Sequence, residues 1–191
     1  MNGRENFACV AEDVAPHGWS VALPGYTLAP EASLKEIVAE NRAALYWLQE
    51  HAVEYRLGNK FIAEGWSAGA QLAALALAHP LIEAGLAIAG VYELSPLRDT
   101  YLNDKLSLTD LEIANLSPTR LPVVDKPLTI AYGSAELSAL IEEAWAFHRM
   151  RADAHAPGAL LPIPKANHYS VLDELRNPSG LLTKALLDLA R

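Results

Sequence analysis

The stretch Gly65-Trp66-Ser67-Ala68-Gly69 decides how the rest of the chain is read. A short apolar run, Phe61-Ile62-Ala63, stands in front of it, and a helix-forming run over residues 71–78 follows. A serine with glycine two positions to either side, between a strand and a helix, is the pattern of a nucleophile elbow. The turn is tight. Glycine at both flanks is expected to let strand and helix approach closely, leaving the Ser67 hydroxyl at the apex. The helix begins at the elbow, so its free amides and dipole face any anion forming beside Ser67. The plainer alternative is a glycine-rich strand-to-helix turn with a passive serine.

Composition narrows the surroundings of this motif. The chain has 191 residues, 51% hydrophobic and 20% charged, which suits one compact domain with a substantial core. A net charge of -8 and basic residues scattered singly argue against a nucleic-acid partner. Cys9 is the sole cysteine, so no disulfide framework exists and a reducing compartment fits. It sits in Phe7-Ala8-Cys9-Val10-Ala11, where core packing is a better reading than nucleophilic chemistry. No apolar run approaches a membrane span, and the first residues lack a signal pattern, so no membrane partner and a cytoplasmic location are expected.

Strands and helices alternate to either side of the elbow. Residues 5–15 read as a helix ended by Pro16-His17-Gly18, and residues 19–23 as a short buried strand closed by Pro24-Gly25. Ser33-Leu34-Lys35-Glu36 forms a capping box, so a helix should start there and end near Glu54. Residues 60–64 are the strand before the elbow, and residues 71–79 the helix after it, stopped by Pro80. Residues 86–91 read as a strand. The polar segment 92–124 follows, with a helix over residues 107–116 launched by Thr109-Asp110. A connection this long in a compact domain predicts a lid or a pocket wall. Residues 128–132 are a strand, 137–151 a helix, 159–163 a proline-bearing edge strand and 181–189 a closing helix. The alternation predicts a single α/β domain over residues 1–191 with a mostly parallel sheet.

A serine nucleophile needs a base, and the base needs an orienting acid. His168, in Ala166-Asn167-His168-Tyr169-Ser170, lies in a polar loop beyond the last strand. The other histidines (His17, His51, His79, His148 and His155) precede the serine or fall on or near helices. Glu136 is the first carboxylate after the strand ending at Tyr132-Gly133, whereas Glu142 and Glu143 would be carried away along a helix. The plainer alternative for Glu136 is a helix-N-terminal acid held by the dipole. In the triad reading Ser67 attacks a carbonyl, His168 takes and returns the proton, and Glu136 fixes the tautomer. The Ala68 amide is the nearest oxyanion donor. No metal-ligand spacing and no phosphate-binding glycine loop occur, so neither metal nor other cofactor is expected.

With these residues in view, the chain resembles the kynurenine formamidase (arylformamidase) branch of the α/β-hydrolases. The matching blocks are YTLAPE at 26–31, GWSAG at 65–69, GVYEL at 90–94, TYLND at 100–104, SP at 117–118, YGSAEL at 132–137 and NHYSVLDEL at 167–175. They run in the family's order over nearly the whole chain. The resemblance implies a three-layer α/β-hydrolase sandwich and hydrolysis of an N-formyl arylamine to formate and kynurenine. In that family the residue matching Glu136 is an acid and the histidine matching His168 is catalytic. It further implies that segment 92–124 walls an aromatic pocket, with Trp66, Tyr101 and Asn103 as substrate contacts.

One block of the family pattern is missing. Relatives carry a His-Gly-Gly oxyanion loop upstream, on a central strand, and the chain is N-terminally truncated relative to them. His17-Gly18-Trp19 follows a helix rather than a strand and reads as a turn. Loss of one oxyanion donor typically costs about 2.7–4 kcal/mol in the transition state. The absent strand would lie between residues 19–23 and 60–64, so those strands must pair directly, expose edges or borrow a partner's strand, which favours a homodimer. Three readings follow. The first is a formamidase-like serine hydrolase acting on a small molecule. The second, a short-chain carboxylesterase, would act on p-nitrophenyl acetate but not N-formylkynurenine. The third, a non-catalytic fragment or binding module, would leave Ser67 inert to a fluorophosphonate.

Overall fold

Four parallel strands form the centre of the computed structural model, which describes residues 14–191. The strands are β1 (Phe61–Trp66), β2 (Ile82–Ile88), β3 (Leu128–Gly133) and β4 (Leu160–Ile163), and they neighbour one another in that order. Among the described residues the α-helices are α1 (Leu34–His51), α2 (Ala68–Ala76), α3 (Asn103–Leu106), α4 (Asp110–Leu116), α5 (Ser138–Asp153) and α6 (Leu181–Leu189). A parallel sheet is covered on both faces because each crossover lays a helix across it.

Side-chain alternation along β3 builds the two cores. Leu128, Ile130 and Tyr132 point into one cluster with Ala70, Ala74 and Leu77 from the α2 side and Ala144 and Phe147 of α5. Ala131 points the other way, with Leu86 and Ile88 of β2, into a cluster closed by Val171, Leu175 and Leu182. A third cluster joins Leu34, Ile37 and Val38 of α1 to Leu72 and Leu75 of α2 and to Leu94, Leu108, Ile113 and Leu116. The architecture is therefore helix–sheet–helix, the three layers that the resemblance implied, around the parallel sheet that the alternation predicted.

Local signals act where they were read. Ser33 caps α1 through a full capping box with Glu36, and α1 ends at His51. Pro162 sits in β4, the edge strand, and α6 spans the residues its apolar run implied. Gly18 adopts φ 82° and ends the helical turn at Ala15–His17. The helix expected over residues 5–15, with Cys9, falls almost entirely outside the described residues.

Two elements differ from expectation. Residues 19–23 form no strand; the segment is largely exposed, with Val21 at 36%. Extended chain becomes a strand only by pairing, and among the described residues no strand lies on the outer side of β1. Consistent with that open side, all six residues of β1 are only half-buried. The second strand runs Ile82–Ile88 rather than over residues 86–91, because Phe61 pairs with Ile82 and Trp66 with Ile88. Its polar Glu83 masked the start of the strand in the sequence.

Segment 92–124 is tied down along its length. The Glu143 carboxylate of α5 accepts the Tyr92 and Glu93 amides at 2.6 and 3.1 Å. Arg120 forms an ion pair with Glu93 at 2.8 Å, and those contacts with the Ser95 amide and Thr119 hydroxyl hold the Glu93 carboxyl well below its ordinary pKa despite its partial burial, at about 2. The buried Gln71 side chain donates to the Leu116 carbonyl, and the Ser117 hydroxyl accepts the Leu94 amide. Thr109 and Glu112 form the capping box that starts α4.

Candidate active site

Ser67 stands between β1 and α2 with φ 57° and ψ -119°, a conformation uncommon for a residue with a Cβ. Its amide donates to the Ile88 carbonyl at 2.9 Å, which ties the elbow to the neighbouring strand. A Cβ on Gly65 would collide with the carbonyl of Gly69, so the first glycine of the motif permits the strand–helix approach. Gly69 differs from expectation: a Cβ there would meet nothing within 4 Å. Its side of the turn opens to space instead of pressing on the strand.

The C-terminal ends of β3 and β4 bring the other two groups to Ser67. Gly133 lies so close to the Ala166 carbonyl that a Cβ would not fit. The amides of Ser134 and Ala135 donate to the carbonyls of Ile163 and Ala166 at 2.9 and 2.8 Å, and the Lys165 amide donates to the Ser134 hydroxyl at 2.7 Å. The acid loop and the histidine loop are thus sewn together by backbone. Asn167 then accepts the amides of Tyr169 and Ser170 at 3.0 Å each, turning the chain so that His168 projects from the bend.

His168 Nε2 lies 3.1 Å from Ser67 Oγ, and His168 Nδ1 lies 2.7 Å from Glu136 Oε2. A carboxylate only accepts, so Nδ1–H donates to Glu136 and Nε2 is left bare toward the serine hydroxyl. The Glu136 side chain is 1% exposed and its other oxygen accepts the Leu137 amide at 2.8 Å. Its carboxylate is therefore held in place rather than free in solvent. The arrangement can take a proton from the serine hydroxyl and offset the charge that then forms on the imidazole. Ala68 begins α2, where helix amides have no intrahelical acceptor, so its N–H is available beside Ser67.

The residues implied as substrate contacts are placed in three different ways. Trp66 donates its indole N–H to the His168 carbonyl at 2.8 Å, and its ring lies 5.0 Å from the imidazole and 5.7 Å from the Tyr169 ring. It props the histidine loop from below, a role that sequence reading missed because the two residues are 102 positions apart. Tyr101 is 81% exposed. Asn103 accepts the Leu108 amide at 2.9 Å through Oδ1, closing a turn within segment 92–124. Among the described residues no group of three or more His, Cys, Asp or Glu could hold a metal ion, and no helix is long and apolar enough to cross a membrane.

Comparison with solved structures gives the same architecture at low sequence identity. An esterase of Pyrobaculum calidifontis superposes with a TM-score of 0.83 at 15% identity, over 98% of this chain and 72% of that one. A carboxyl esterase of the fungus Tuber melanosporum gives 0.76 at 15% identity, over 100% of this chain and 72% of that one. The fold is that of the α/β-hydrolases. By sequence, the family model BD-FAE matches residues 2–82. The kynurenine formamidase of Danio rerio is 23% identical over 93% of this chain and 64% of its own length. That of Salmo salar is also 23% identical, over 96% of this chain and 67% of its own length. By sequence the chain is thus similar to kynurenine formamidases and by fold to esterases, and it spans about two thirds of the length of those two formamidases.

Proposed function

We propose that the chain is a serine hydrolase of small amides or esters, with an N-formyl arylamine such as N-formylkynurenine as its substrate. The observation behind this reading is the pair of hydrogen bonds that runs from Ser67 through His168 to Glu136, at 3.1 and 2.7 Å. Ser67 Oγ attacks the formyl carbon as His168 Nε2 takes its proton. The carbonyl oxygen becomes an anion, which accepts the Ala68 amide at the positive end of α2. His168 returns the proton to the departing arylamine nitrogen, leaving a formyl ester on Ser67. A water molecule, deprotonated by His168, then attacks the ester carbon and releases formate and free Ser67. Tyr169, edge-on to the imidazole and exposed, offers aromatic surface suited to a flat aryl group.

The esterases among the structural neighbours favour a second reading, a short-chain carboxylesterase working by the same steps. The test measures formate release from N-formylkynurenine and p-nitrophenol release from its acetate ester, with Ser67→Ala alongside. Formate from the wild type and none from Ser67→Ala supports the formamidase reading. Ester hydrolysis alone turns the assignment to the carboxylesterase. A folded chain that releases neither product removes both.

A further inference from the structure

Helix α5 has two faces. Ala144, Phe147 and Arg151 are buried, whereas Glu142, Trp145, Ala146 and Arg149 are exposed. A shallow groove of about 390 Å³ runs along the outer face, lined by Ile141, Glu142, Trp145, Ala146 and Arg149. Trp145 is 51% exposed, yet its indole N–H donates to the Tyr132 hydroxyl at 2.9 Å. One edge of the ring is thus anchored to β3 while the rest of it stands open. A tryptophan already held in one pose loses little rotamer freedom on docking, and such anchors dominate protein interfaces.

The spacing of the groove residues selects its occupant. Residues 142, 145, 146 and 149 stand at i, i+3, i+4 and i+7, the four corners of a hole that a side chain from a facing helix enters. The small Ala146 leaves the hole open, and Trp145 beside it is a knob large enough to fill one. Knob and hole on one face make that face self-complementary, as a two-fold contact requires. Antiparallel pairing with Trp145 opposite the partner's Ala146 sets Glu142 opposite the partner's Arg149, twice by symmetry, and Ile141 opposite the partner's Met150. Among the described residues neither Glu142 nor Arg149 makes an ion pair, so both charges are available. Each chain carries a net charge of -8, and these opposed pairs offset the repulsion where the copies touch. We propose that α5 is the contact helix of a homodimer, each Trp145 seated in the hole at the partner's Ala146 and each Glu142 against the partner's Arg149. One helix pair buries less than the roughly 1,200–2,000 Å² of stable interfaces, so the dimer belongs to the weak, reversible class.

Sedimentation velocity on the full chain over micromolar concentrations should show a reversible rise from 20.7 kDa toward twice that mass. Ala146→Gln fills the hole at an exposed position and should weaken association about tenfold. Glu142→Arg and Arg149→Glu each set like charges face to face, so each should stay monomeric where the wild type dimerises. Mixed in equal amounts, these two variants should associate with one another, because every arginine then meets a glutamate. A wild-type chain that stays monomeric throughout would overturn the proposal. A dimer unaffected by Ala146→Gln would also overturn it and would place the contact elsewhere, such as the open side of β1. Failure of the two mixed charge variants to associate would refute the antiparallel pairing.

Discussion

The two glycines of the elbow motif should respond to alanine with opposite signs. At Gly65 the added Cβ would meet the Gly69 carbonyl and the Ala70 nitrogen, which are backbone atoms of the first turn of α2. No flexible side chain can yield there, so the helix start must move, at a cost of about 1–3 kcal/mol or more. Gly69 lies within α2, has no positive φ and has nothing within 4 Å of its Cβ position. Alanine there gains helix propensity and narrows the unfolded ensemble, worth about 0.5–1 kcal/mol. The two variants should therefore differ by about 2–4 kcal/mol, or roughly 5–15 °C in melting temperature for a chain of this size. Urea titrations followed by far-ultraviolet circular dichroism would report the difference as a shift in midpoint at constant slope. If Gly69→Ala loses as much stability as Gly65→Ala, the packing described for the elbow is wrong.

Three further outcomes follow from single residues. Trp66→Phe keeps an aromatic ring, though a smaller one, and removes the N–H bond to the His168 carbonyl, so kcat should fall about five- to tenfold with KM nearly unchanged; a rise in KM alone would instead mark Trp66 as a substrate contact. Burial pushes the Glu64 carboxyl up to about 7 from an ordinary 4.5, so its penalty is absent below pH 4.5, grows as the pH rises through 7, and reaches about 3 kcal/mol at most. Glu64→Gln should therefore stabilise the protein more at pH 8 than at pH 5, and a pH-independent difference in urea midpoint would refute this. Glu143→Ala strands the Tyr92 and Glu93 amides and should cost about 2–4 kcal/mol, whereas Glu143→Gln, which keeps an acceptor oxygen, should recover most of it in the same titration.

These residues also mark how far the amino-acid sequence could be read. The Ser33 capping box is local, four residues long, and starts a helix where the pattern said, whereas the helix read over residues 107–116 starts only at Asp110, behind the Thr109 cap. Chain order and the ends of strands pointed to Ser67, Glu136 and His168, which the fold brings within hydrogen-bonding distance. What could not be read is non-local. Residues 19–23 have strand-like composition, yet pairing rather than composition makes a strand. Trp66 sits beside the serine in sequence, but its bond to the His168 carbonyl exists only once β3 and β4 are laid side by side. Gly65 and Gly69 look equivalent in a motif, and only the angle at which α2 leaves β1 separates them.

Covalent labelling with a fluorophosphonate, followed by peptide mass mapping, reads out whether Ser67 is an activated nucleophile. The reagent requires a serine activated by its base and does not depend on knowing the substrate. One adduct per chain is expected on the peptide containing Ser67, none in Ser67→Ala, and greatly slowed labelling in His168→Ala. A folded wild-type chain that stays unlabelled, or carries its adduct on another residue, would contradict this expectation.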